Sequence, residues 1–242
     1  MIRRSDFEAV QSPSKLLANC LEAFHRIPEE DLLLRRGVAK DIVEEAFPLA
    51  ILLTQLHSFG DRWSVGLLPP NSSADARIQE TETGRTIPFQ IVSGNGNERE
   101  RNDRLRMEIF LQKRSVPMTG SVKRIKDSAG KKSAVATREA VSRDAESADL
   151  ASCIAAAIEA KAQKDCTTNT SLLVHIDDWN SVQYLSAAQL GKLISVVCKR
   201  ATKAIDAFSN VYLVGISGKT IVDFKSGHAI SGGSQTRLAV DR

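Results

Sequence analysis

Residues 74–80 (ADARIQE) and 86–93 (TIPFQIVS) carry an acid and an amide, Asp75 and Gln90, on either side of a short glycine-containing connection. In the first stretch Ala74, Ala76 and Ile78 alternate with Asp75, Arg77 and Gln79, the pattern of a strand with one apolar face. The second returns as a mostly apolar strand after 81–85, a link of hairpin length, and Pro88 argues that its early part is irregular or at an edge. The two strands are then antiparallel neighbours, and the right register brings the Asp75 carboxylate beside the Gln90 amide. A carboxylate and an amide carbonyl are both hard oxygen ligands for a divalent cation, but Gln90 brings no charge where a second carboxylate would be expected, and Val92 stands where a cation would be expected.

The elements that must position these groups are legible in outline. Residues 62–68 (RWSVGLL) read as a preceding strand, stopped by 69–73 (PPNSS), whose prolines have no N–H to give a ladder. Two helices come earlier: 14–26, with Leu16, Leu17, Cys20, Leu21 and Phe24 at helical spacing after Ser12-Pro13, and 40–58, interrupted by Pro48. After the strands, 97–113 is a helix with Leu105 and Ile109 on its apolar stripe, and 149–164 is a second, with Asp149 as its N-cap. Residues 171–177 (SLLVHID) read as a buried strand, 186–208 as an amphipathic helix, and 210–224 as two strands around Ser217-Gly218-Lys219. This order predicts an α/β protein, a mixed central sheet flanked by helices. We expect an N-terminal helical segment over 1–40, an α/β domain over 41–230 with a mobile basic insertion at about 114–147, and a disordered tail over 231–242.

Charge is unevenly placed. Residues 97–146 hold 13 basic and 8 acidic side chains, a surplus of five in a chain of net charge +4. Arg99, Arg101, Arg104 and Arg106 crowd the first half of the helix 97–113, where basic groups oppose the helix dipole by up to roughly 1 kcal/mol each. A nucleic-acid backbone is one counter-charge for them, and a solvated face laced with internal ion pairs is the other explanation.

The chain resembles the restriction-endonuclease-like, or PD-(D/E)xK, nuclease superfamily over roughly residues 41–224. The likeness rests on a helix with Glu44-Glu45 and Pro48-Leu49, Asp75 opening the second strand, a third strand at the diagnostic place, and a helix, strand and helix that return to the sheet. It implies Asp75 as the core metal ligand, Glu45 or Glu44 as an accessory ligand, and Gln90 in the acidic position. Val92 occupies the usual lysine position. Some members move that lysine to a nearby helix, which makes Lys161 and Lys164 candidates. The expected function is Mg²⁺- or Mn²⁺-dependent phosphodiester hydrolysis on DNA or RNA by a degenerate endonuclease site. The alternative is an inactive nucleic-acid-binding or protein-interaction module on the same fold.

Each residue also has a structural explanation. Asp75 can close a Pro-Asn-Ser loop through backbone hydrogen bonds, Gln90 can be a satisfied polar group on a buried strand, and Lys161 and Lys164 suit a helix C-terminus. Three other patterns carry no chemistry. Residues 215–220 (GISGKT) have two residues between their glycines where a phosphate loop needs four. His175, Asp177 and Asp178 have no second His at ligand spacing, and no Gly-x-Ser-x-Gly turn supports a hydrolase triad. Cys20, Cys153, Cys166 and Cys198 are scattered without a Cys-x-x-Cys pair, so a reducing cytoplasm is expected, and no secretory signal or membrane span is read.

Overall fold

In a computed structural model the described residues are 2–56, 62–116, 122–126, 130, 132–137, 142–164, 169–178, 187–231 and 234–237. Helices come first: Ser5–Glu8 (α1), Pro13–Arg26 (α2), Glu29–Leu34 (α3) and Val38–Asp41 (α4), then a π-helical turn, Ile42–Ala46, and Phe47–Gln55 (α5). Trp63–Leu67 (β1), Ala76–Glu80 (β2) and Thr86–Ser93 (β3) follow, then Asn97–Lys113 (α6), Val122–Lys126 (β4), Lys132–Ala136 (β5) and Arg143–Ala162 (α7). Ser171–Ile176 (β6), Ala187–Asp206 (α8), Val211–Gly215 (β7), Thr220–Asp223 (β8), His228–Ser231 (β9) and Ser234–Arg237 (β10) complete the chain.

Eight strands join in one mixed sheet, in the order β1-β2-β3-β6-β7-β8-β9-β10. The first three form an antiparallel meander, β3, β6 and β7 are parallel, and the rest alternate. Each parallel step needs a crossover, and α7 and α8 supply the helices for two of them. They cover one face of the sheet, where Ile154, Ile158, Leu193 and Val197 meet Leu172 and Val174. The other face is covered by α2, the π-turn and α5, whose Leu16, Ile42, Leu49 and Leu52 meet Phe89, Leu173 and Tyr212. Each such side chain contributes about 1.5–3 kcal/mol on burial. The N-terminal helices therefore share the core of the sheet.

Local chemistry explains the boundaries. Ser12 Oγ accepts the Lys15 N–H and Pro13 fills the first turn of α2, as read from the sequence. Pro48 does more than kink the helix expected over 40–58. It has no N–H for the Glu44 carbonyl and its ring would crowd that group, and just before it the chain widens into the π-turn, with the Phe47 N–H bonded to Ile42 O. Pro88 is tolerated because it pairs with Arg77 before β3 meets β6, whose register starts at Phe89. The edge of β1 is met by an isolated antiparallel bridge in which Gln11 and Val65 exchange both backbone hydrogen bonds, at 3.0 and 2.7 Å. Gly66 permits that approach, since a Cβ there would lie 2.8 Å from the Glu8 carbonyl oxygen.

Three expectations change. Helix α7 begins at Arg143, not at Asp149, and its cap is Ser142, whose Oγ accepts the Ala145 N–H at 3.1 Å. The basic insertion, expected as a mobile loop or an irregular hairpin, holds the β4–β5 hairpin, with Val122 and Ala134 packed on Leu105 and Ile109 of α6. Within the expected tail, β10 pairs with β9. The remainder of that tail after Ser231, and the parts of the insertion at 117–121, 127–129, 131 and 138–141, lie outside the described residues. No helix among the described residues is long and apolar enough to cross a membrane.

Candidate functional site

Asp75 sits one residue ahead of β2, where the three-stranded meander runs out and β3 continues. Its N–H donates to Phe89 O at 2.9 Å and its carbonyl accepts the Leu68 N–H at 2.8 Å, so both neighbouring strands hold its backbone. Its carboxylate is held as well, because Oδ2 accepts the Ile91 N–H at 2.6 Å. The structural and chemical readings of Asp75 therefore coincide: the side chain terminates the β2–β3 ladder and, in doing so, is fixed beside Gln90. From α7, Lys161 reaches the same oxygen, with Nζ 3.7 Å from Asp75 Oδ2. Lys164 lies past the last turn of α7 and is exposed.

Phe89 and Ile91 belong to the core on the N-terminal side of the sheet, while Val92 packs on the core under α7 and α8. By alternation Gln90 shares the α7 side with Val92. Its Nε2 donates to the Ser73 carbonyl at 3.0 Å, which fixes the orientation of the amide. Gln90 Oε1 is buried and has no hydrogen-bond partner among the described residues. A buried acceptor in that condition costs about 1–3 kcal/mol, so the amide is not the fully satisfied strand residue of the structural explanation.

Glu45 arrives on the π-turn. Arg4 holds it: Nη2 donates to Glu45 Oε2 at 3.0 Å and to Leu68 O at 2.9 Å, while Nη1 lies 3.0 Å from Asp41 Oδ1. Burial pushes the Glu45 carboxyl above its ordinary range against the opposing charge of Arg4, and the negative charges of Asp75 and Asp41 add to the rise. Among the described residues no three His, Cys, Asp or Glu side chains form a metal-binding group. The oxygens on the α7 side of the sheet are the Asp75 carboxylate and the unpaired Gln90 carbonyl, while Glu45, close enough for the charge of Asp75 to act on it, is held by Arg4. Hard oxygens of this kind are the ligands that Mg²⁺ or Mn²⁺ takes, commonly one or two carboxylates with water and phosphate completing the shell.

Glu44, the neighbour of Glu45, serves a second cluster. Its Oε1 lies 3.5 Å from Arg35 Nη1 and 4.0 Å from Arg104 Nη2, and Arg35 Nη2 donates to Asp177 Oδ2 at 3.3 Å. Arg35 ends α3 with φ of 51°, a left-handed conformation that a non-glycine residue adopts at some cost. His175 lies on the adjacent strand, fully buried and pushed down to about 3 by desolvation and by the charge of Arg35. Asp178 has a structural task, since its carboxylate accepts the Ser217 N–H at 2.8 Å and the Ser217 hydroxyl at 2.5 Å and so ties down the β7–β8 turn. The GISGKT stretch is thus a strand end and turn, as its spacing indicated.

The four arginines of α6 do not form one face. Arg99 is half-buried, 3.9 Å from Asp149, and Arg106 is turned in, 4.0 Å from Asp103. Arg101 and Arg104 are exposed, the latter beside Glu44. Sequence reasoning had no place for Arg4, Arg35 or Asn95. The one available signal was Asn95 between Gly94 and Gly96 directly after a strand, a setting that brings backbone and side chain close together. Comparison with protein-family profiles, curated proteins and solved structures returned no match.

Proposed function

We propose that this chain is a metal-dependent phosphodiesterase acting on DNA or RNA, with a degenerate site of Asp75, Gln90, Glu45 and Lys161. The observation that carries the reading is the approach of Lys161 to Asp75, 3.7 Å across the α7–sheet boundary, while Val92 holds the strand position where a cation is wanted. Mg²⁺ or Mn²⁺ held by Asp75, Gln90 Oε1 and Glu45 would polarise the phosphoryl group and acidify an attacking water. The chain's own residues supply the rest. The Ile91 N–H and Ser73 carbonyl hold Asp75 and Gln90 in place, Arg4 positions Glu45, and Lys161 stabilises the negative charge that develops on phosphate oxygens. Work in a reducing cytoplasm belongs to the same reading, supported by the free thiols of Cys20, Cys153 and Cys198.

Incubation of the purified protein with plasmid, single-stranded DNA and RNA in Mg²⁺ or Mn²⁺ tests it. Cleavage is expected, with at least about a 100-fold loss in Asp75→Ala. No cleavage of any substrate, or cleavage that Asp75→Ala leaves intact, rejects it. One observation favours a second reading, a non-catalytic nucleic-acid-binding module: β4 exposes Lys123 and Lys126 beside α6 with its exposed Arg101, while Arg124 is held by Glu108. Binding through that surface weakens steeply with salt and ignores metal.

A further inference from the structure

We propose that the outward side of α8, with Lys199, Arg200 and Lys203, forms together with Lys164 at the end of α7 the surface that holds the phosphate backbone of the nucleic acid, an inference that rests on the reading of the chain as acting on DNA or RNA.

The strand register fixes which end of the sheet a substrate must reach. Phe89 of β3 pairs with Ser171, the first residue of β6, and the Asp75 N–H donates to Phe89 O, so Asp75 stands level with the start of β6. Helices α7 and α8 lead the chain back to the starts of β6 and β7, and their second halves lie toward that end, as the reach of Lys161 to Asp75 requires. Helix α6 instead leaves from the far end of β3, and its Arg99, Arg104 and Arg106 each have a carboxylate within 4.0 Å.

Helix α8 buries Leu190, Leu193, Ile194 and Val197 on the sheet. On its exposed side Lys192, Lys199, Arg200 and Lys203 follow one another with no carboxylate in the chain before Asp206. Positions 192, 196 and 199 share a helical stripe, and Lys203 follows a break in the helical dihedrals at Ala201. No ion pair engages these three lysines among the described residues. Arg200 Nη1 donates to Ser152 Oγ at 2.7 Å, which joins α8 to α7 at this level. Asp144 shares a groove with Lys192 in the first halves of the two helices, and Asp149 faces Arg99. In the second halves Glu159 and Asp206 are the exposed acids among the described residues, against Lys164, Lys199, Arg200 and Lys203.

The repeated phosphates of a polyanion suit such a row of separate, flexible ammonium groups. A bilayer asks a surface helix for an exposed apolar side, and α8 has turned its own inward, with Val196 left 36% exposed.

Fluorescence anisotropy of the full chain with a labelled DNA duplex of about 20 base pairs and a labelled RNA strand of about 20 nucleotides, without divalent metal and over a range of salt, tests the assignment. The double variant Lys199→Gln, Lys203→Gln is expected to bind about tenfold or more weaker at low salt, with the slope of log affinity against log salt shallower by about two and the thermal melt unchanged. If its melt falls, the single variants give the same readout, at about one in slope each. Lys123→Gln with Lys126→Gln on β4 is expected to change neither quantity. Loss of binding in the β4 variant and none in the α8 variant overturns the proposal, as does no binding of either probe at low salt, or capture by phosphatidylserine vesicles in place of both. Asp75→Ala separates the two readings: it removes cleavage and leaves the affinity unchanged. Binding through α8 in a protein that cuts nothing upholds the surface and rejects the nuclease, and cleavage with an affinity indifferent to Lys199 and Lys203 does the reverse.

Discussion

Gln90 and Asn95, near the end of the same strand, are two amides that the backbone holds in opposite senses. The Ser73 carbonyl takes the Gln90 NH₂ and leaves its oxygen buried, whereas the Asp177 N–H takes the Asn95 oxygen and leaves its NH₂ buried. Neither can turn over without losing its bond, since a peptide carbonyl only accepts and a peptide N–H only donates. One region is thus left with an acceptor beside a carboxylate and an ammonium, and the other with a donor among carboxylates. The two differ in what their unpaired ends lack, a donor or cation at the first and an acceptor at the second. Charge counting alone would not separate them, because both regions mix acids with bases. The unpaired end of a buried amide does.

Removal of the Lys161 ammonium is the strongest way to break that contrast. Lys161→Met keeps the length of the side chain on α7 and should lower cleavage by about 10²–10³-fold; an initial rate within twofold of the parent takes the lysine out of the chemistry. Next comes His175, on the strand that ends at Asp177. Its folded pKa of about 3 lies below the ordinary 6.5, so the unfolded chain takes up the proton first as pH falls. The stability tied to neutral His175 is complete above about pH 6.5 and is lost as pH falls toward 3, a loss of about 2 kcal/mol between pH 7.5 and 5. Urea unfolding of the parent and of His175→Gln at the two pH values measures it, and parallel slopes would remove the histidine from the account.

Smaller effects sharpen the first region. Gln90→Glu places a charge where the unpaired carbonyl now lies, and should lower the Mn²⁺ concentration for half-maximal rate by about tenfold. An unchanged or higher requirement would place the cation elsewhere. Ser142→Ala removes the cap of the helix that delivers Lys161 and should cost about 1 kcal/mol in urea unfolding, with the cleavage rate preserved at low temperature. A stability change no larger than that of an exposed Ser→Ala substitution would put the start of α7 elsewhere.

Much of this arrangement was legible because it rests on local periodicity. The alternation at 74–80 and the proline-rich stop at 69–73 delimit β1 and β2, and the apolar run at 171–177 is β6, buried on both faces. The neighbourhood of Asp75 and Gln90 followed from strand order, whereas Lys161 was a candidate, beside Lys164, only through the family resemblance. The start of α7 was missed because its first turns, Arg143, Asp144 and Glu146, are charged, while the apolar repeat begins at Leu150 beside a competing cap, Asp149. The hairpin β4–β5 was read as loose because its core consists of little more than Val122 and Ala134 on α6. The Asn95 cleft was illegible for a different reason. Its members come from the end of α3, the exit of β3, the middle of α6 and the end of β6, and such convergence leaves no spacing in the sequence.

The exchange of two hydrogen bonds between Gln11 and Val65 has a consequence for the protein in concentrated solution. An outermost strand with open peptide groups invites a foreign strand to add to it, and β1 is the outermost strand at this end of the sheet. With Gln11 docked on Val65 and the Glu8 carbonyl pressed against Gly66, a neighbouring molecule finds the middle of that ladder already taken. The segment that carries Arg4 to Glu45 thus also acts as a bumper against self-association.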